Sequence, residues 1–91
     1  MTAALPHLIW IDCEMTGLDL TTDALVEIAV LVTDSELNVI GEGVDVVIHA
    51  TEGQLASMND FVREMHTASG LITEIPNGIS MASAEEQILT Y

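Results

Sequence analysis

The 91 residues carry fifteen Asp and Glu against one Lys or Arg, a net charge of −14, so no basic stripe exists to grip a long polyanion by counterion release. Hydrophobic residues make up 49% and the mean hydropathy is +0.45, which excludes a solvated acidic tail. A chain of this length is one small domain at most, with a thin core.

Cys13 is the single cysteine, so no intrachain disulfide forms and a reducing compartment is the natural setting. The N-terminal residues Met1 to Pro6 lack a basic segment followed by a long apolar one. No uninterrupted apolar run approaches the roughly 20 residues of a membrane span. These features predict a cytoplasmic protein with no membrane partner.

In chain order, Leu8 to Asp12 reads as a buried strand, being apolar, β-branched or aromatic up to the aspartate. After a loop carrying Gly17, the apolar run Ala24 to Thr33 holds one charge, Glu27. Asp34-Ser35-Glu36 then supplies turn chemistry before strand character resumes over Leu37 to His49, giving a hairpin. Gly41 and Gly43 predict a bulge or bend in its second arm.

From residue 51 the pattern becomes helical. Thr51-x-x-Gln54 is a capping box, and Asn59 or Asp60 caps a helix bearing Phe61, Val62 and Met65, which Ser69-Gly70 ends. Leu71 to Ile75 makes a further short turn before Pro76-Asn77-Gly78 interrupts it. Ser83-x-x-Glu86 is expected to open a last helix, with Ala84, Ile88, Leu89 and Tyr91 available for burial. No stop signal precedes Tyr91, and residues 1–91 are expected to form the N-terminal part of a single domain.

The most informative pair is Asp12 and Glu14. Side chains alternate along a strand, so these two carboxylates share one face while Cys13 points to the other and packs. Like charges so close raise one another's pKa unless a cation lies between them, and hard divalent ions favour oxygen donors. The pair therefore reads either as a solvated strand end or as ligands of Mg²⁺ or Mn²⁺. An acidic protein with such ions can still process a short nucleic acid, because the metal is then the largest local charge.

The segments Trp10-Ile11-Asp12-Cys13-Glu14-Met15-Thr16-Gly17-Leu18-Asp19, Val26-Glu27-Ile28-Ala29, Leu31-Val32-Thr33-Asp34 and His66-Thr67-Ala68-Ser69-Gly70-Leu71 closely resemble the oligoribonuclease family. The resemblance runs from about residue 8 to the end. It implies an α/β, ribonuclease H-like fold of the DEDDh exonuclease group, and 3′-to-5′ hydrolysis of short oligoribonucleotides, chiefly dinucleotides, with two divalent ions. It implies metal-ligand roles for Asp12 and Glu14, a wedge between two bases for Leu18, base stacking for Phe61 where the family often has Trp, and places near the substrate for His66 and Ser69. Each apolar or polar residue of that second group also has a plain reading, as core, helix-end or surface side chain. Glu27 reads as structural, with a supporting role to the metal ligands as the alternative.

The same resemblance implies that a third metal-binding Asp, a general-base His, a final Asp and the residues capping the 5′ phosphate lie beyond Tyr91, some contributed across a homodimer. The 91 residues alone are then expected to be inactive. A DNA exonuclease of the same fold, or a non-catalytic acidic remnant that binds a metal or a partner, are the competing readings.

Overall fold

The computed structural model describes residues 6–91. Three strands come first, β1 (Leu8–Met15), β2 (Leu25–Thr33) and β3 (Val39–Val47), followed by α1 (Glu52–Ala56), α2 (Asp60–Ser69), α3 (Leu71–Glu74), a 3₁₀ turn (Ile75–Asn77) and α4 (Met81–Thr90). The strands form one antiparallel sheet in the order β1-β2-β3. Three antiparallel strands followed by helices are the expected α/β arrangement of a ribonuclease H-like exonuclease domain.

Two irregularities shape this sheet. The first, between Glu14 and Met15, lets β1 leave the sheet just after its carboxylates. The second lies between Val30 and Val32, opposite Gly41 and Gly43, whose φ values of 72° and 76° are left-handed and favour glycine. The bulge expected from those glycines is therefore present. It also receives Tyr91. The tyrosine hydroxyl accepts from the Val32 N–H at 3.0 Å and donates to the Ile40 carbonyl, filling ladder bonds that the bulge breaks. A Cβ on Gly41 would lie 2.8 Å from the Tyr91 ring. Tyr91→Phe is thus expected to strand two backbone groups and to destabilise the fold by about 1–3 kcal/mol, read as a lower urea midpoint at unchanged slope.

The hairpin turn is held by Asp34. One of its oxygens accepts from the N–H groups of Glu36 (2.9 Å) and Asn38 (3.0 Å), and the other from the Asn38 side chain (3.1 Å). These bonds to Asn38 and Glu36 favour the charged carboxylate and lower its pKa. The turn is longer than expected, with Leu37 at a φ of 69°, so β3 starts at Val39.

Local signals at the helix starts are satisfied as read, with one shift. Thr51 and Gln54 form the reciprocal capping box, Asn59 caps α2 through the Val62 N–H, and Gly70 ends α2 at a φ of 83°. The last helix is capped by Ser80, which accepts from the Ser83 N–H at 3.1 Å, and so begins one turn before the expected Ser83 start. The reason is tertiary: Ile79 bonds to β3's end, with its N–H on the Val47 carbonyl (2.9 Å) and its carbonyl on the His49 N–H (2.8 Å). That bridge delivers Ser80 already in the extended conformation an N-cap needs.

The core is small and off-centre. Val26, Ala50, Leu71 and Ile75 cluster between the sheet end and the helices, with Val47 and Leu55 against them. The expectation that β1 is a buried strand is not met: Ile9 and Ile11 are 67% and 61% exposed, and Trp10 is half exposed with its indole N–H on Thr33 Oγ1. Among the described residues β1 has a neighbour only on the β2 side. Apolar composition marks a strand for burial, but burial itself depends on what lies over it. Of the α4 residues offered for burial, Ala84 is buried, Ile88 and Tyr91 are half-buried, and Leu89 is exposed.

Candidate active site

The carboxylate pair stands where β1 approaches its bulge. Asp12 sits opposite Ala29 and Glu14 opposite Glu27, and Ala29 in turn faces Asp45 on β3. Asp12, Glu14, Glu27 and Asp45 therefore share one face of the sheet, with Cys13 on the other, where it is half-buried. Asp12 also lines a groove with Trp10, Ala29, Leu31 and Asp45.

Electrostatics single out Glu27. Its pKa is raised, first by burial, then by a hydrogen bond and charge repulsion from Asp45, then by the charges of Glu14 and of Glu74 on α3. A carboxyl whose folded pKa is raised favours the folded state most at low pH. That contribution is lost as pH rises through the raised value. Carboxylates gathered on one face repel one another when charged.

No Lys or Arg relieves the repulsion. Arg63, the one such residue of the sequence, donates through Nη2 to the Leu55 carbonyl and ties α2 to α1. The donor set, carboxylate oxygens alone, suits a hard divalent ion. Among the described residues no three His, Cys, Asp or Glu converge to hold one.

The remaining candidates lie on the loop that follows β1 and on helix α2. The β1–β2 loop carries Leu18, 87% exposed. Helix α2 carries Phe61 near its start, 77% exposed, and His66 further along, fully buried. The His66 ring lies with Nε2 2.8 Å from the Met15 carbonyl, so α2 is fastened to the last residue of β1. Ser69 donates to the His66 carbonyl at 3.2 Å and accepts from the Leu71 N–H at 3.4 Å across the α2–α3 junction. Both polar side chains thus have internal partners, whereas Leu18 and Phe61 leave apolar surface in solvent.

The family question is decided by comparison. A model of the RNase T family, described as an exonuclease, matches residues 9–90. The chain belongs to the RNase T exonuclease family. It is similar to the oligoribonucleases of Streptomyces griseus (61% identical over 85 residues, 93% of this chain and 42% of that protein) and Leifsonia xyli subsp. xyli (58% over 91 residues, 100% and 44%). The oligoribonuclease of Mycobacterium avium is 61% identical over 86 residues, 93% of this chain and 40% of the relative. The chain spans about two fifths of the length of these RNase T relatives.

Several residues around this carboxylate face escape a reading of the sequence. Asp45 joins Glu27 only through the β2–β3 register, and Glu74 only through packing of α3. Thr16 and Asp23, which organise the loop after Glu14, carry a weak signal: a buried-capable hydroxyl beside Gly17, followed by a carboxylate seven residues on.

Proposed function

We propose that the protein containing this chain is a metal-dependent 3′-to-5′ exoribonuclease that degrades oligoribonucleotides of a few residues, chiefly dinucleotides, to mononucleotides. The observation that carries this reading is the paired Asp12 and Glu14 face, backed by Glu27 and Asp45 and free of any Lys or Arg, in a chain about 60% identical to oligoribonucleases.

In this reading Asp12 and Glu14 hold Mg²⁺ or Mn²⁺, which supplies charge neutralisation and Lewis acidity at the scissile phosphate. Glu27 and Asp45, facing the pair, add negative potential that favours a cation there over a bare phosphate. Leu18 separates the two bases, and Phe61 offers a π-face on which one of them stacks. His66 fixes the relation of α2 to β1 and so of Phe61 to the carboxylates, while Ser69 holds the helix end behind it. The complete protein acts as a cytoplasmic homodimer whose later residues contribute the remaining ligands, the base and the 5′-phosphate cap.

The test compares turnover of ribo- and deoxyribo-oligomers from two to about ten nucleotides by the complete protein. The expected result is fastest hydrolysis of ribodinucleotides, requiring added Mg²⁺ or Mn²⁺. Equal or greater activity on DNA, or a rise with length, would replace the reading with a DNA exonuclease of the same fold.

A further inference from the structure

The β1–β2 loop leaves Leu18 and Leu20 in water, 87% and 98% exposed, yet is tightly bonded within itself. Asp19 Oδ1 accepts from Thr21 and Thr22, and the bonds on either side of Leu18 converge on Asp23. Asp23 Oδ1 accepts from Thr16 Oγ1 at 2.8 Å, and Asp23 Oδ2 accepts from the Asp19 N–H at 2.9 Å. Thr16 is buried, and its hydroxyl also accepts from the Ala24 N–H at 2.9 Å, while its own N–H reaches the Ala24 carbonyl at 2.9 Å. The Asp23 N–H closes the ring on the Asp19 carbonyl at 2.9 Å. A Cβ on Gly17 would overlap the Asp23 carboxyl atoms, so the carboxylate occupies the space next to that glycine.

Between Gly17 and Asp19 stands Leu18. Both residues flanking it are held by the Asp23 carboxylate, one by contact and the other by a hydrogen bond, while the leucine itself is 87% exposed. Four residues of chain span at most about 14 Å, so Leu18 lies within that reach of Glu14. Ordering a loop costs conformational entropy, and this loop recovers it by internal hydrogen bonds and not by burying its leucines, of which Leu18 is the one flanked on both sides by groups that Asp23 holds. Such an arrangement presents a side chain rigidly to something outside the fold.

We propose that Asp23 is a positioning residue for substrate, acting through Leu18. It touches neither the metal ligands nor the reacting phosphate, and sets the height and direction at which the leucine meets the bases. The proposal rests on the exoribonuclease reading and adds to it the device that prepares the wedge before substrate arrives.

A double-mutant cycle on the complete protein tests this with ribodinucleotide hydrolysis as the readout. Leu18→Ala and Asp23→Ala are each expected to raise KM about tenfold with kcat within about twofold, and the double variant is expected to be no worse than Leu18→Ala alone. Asp23→Asn keeps an acceptor for Thr16 but turns an NH₂ towards the Asp19 N–H, and should fall between wild type and Asp23→Ala. If Asp23→Ala does not fold, Asp23→Asn carries the same cycle. Effects of Asp23 and Leu18 that multiply, an unchanged KM in the aspartate variants, or a fall in kcat alone would overturn the proposal. Wild-type protein that leaves ribodinucleotides intact would instead overturn the exoribonuclease reading itself.

Discussion

Asp12→Ala in the complete protein is expected to lower ribodinucleotide turnover by about 10³-fold or more while the fold survives. The two halves of that expectation have separate causes. Asp12 is exposed and contributes nothing to the core, and among the described residues its side chain has no hydrogen-bond partner, so its loss should change stability by only about 0.5 kcal/mol. Removing one negative charge from a face that also holds Glu14, Glu27 and Asp45 relieves repulsion. Turnover is another matter: in the proposed reading Asp12 holds a cation that would stabilise the charge developing at phosphorus more than the ground state, so its loss should appear mainly in kcat. Thermal melts with and without Mn²⁺ give an independent check. A cation that binds only the folded state raises the melting temperature by mass action, and the rise should be present in wild type and absent in the variant. Retained turnover, or an equal Mn²⁺ shift in both proteins, would show that Asp12 is a solvated strand end.

The same face explains why some of the structure is readable from the sequence and some is not. Asp12 and Glu14 can be assigned to one side of a strand because period-two alternation needs no partner. Thr51 with Gln54, Asn59 with Val62, and Gly70 at its left-handed φ are likewise readable, since each cap is closed within four residues. The Ser83 start is displaced because two serines three residues apart offer equivalent caps, and the choice of Ser80 is made by Ile79 bonding to β3, far earlier in the chain. Partners of that kind, Glu27 with Asp45, Glu27 with Glu74 or Tyr91 with the β2–β3 bulge, are settled by register and packing. The exposure of β1 escapes the sequence for the same reason. Its residues have strand propensity, but propensity says nothing about whether a layer covers them.

Gly78 is where that long-range bridge is most exposed to a single substitution. Gly78→Ala is expected to cost about 3 kcal/mol or more, enough to unfold much of a small domain, because the added Cβ would meet main chain. It would lie 2.5 Å from the His49 nitrogen, 2.6 Å from the Ile48 carbonyl carbon and 2.9 Å from the Val47 oxygen. Backbone cannot swing aside as a side chain does. Relief requires Gly78 to move away from β3, and that breaks the pairing of Ile79 with Val47 and His49 which seats Ser80 at the head of α4. Backbone dihedrals are not the cause, since φ is −67° and ψ 161° at Gly78, a conformation open to alanine. Gly53→Ala is the control. Gly53 lies in α1, where an added Cβ would meet only Thr51 Oγ1, at 3.9 Å, and alanine there should stabilise by about 0.5–1 kcal/mol through helix propensity. Chemical denaturation of the two variants should therefore show shifts of opposite sign for one identical chemical change. Equal shifts would mean that the approach of the α3–α4 connection to β3 does not hold the last helix in place.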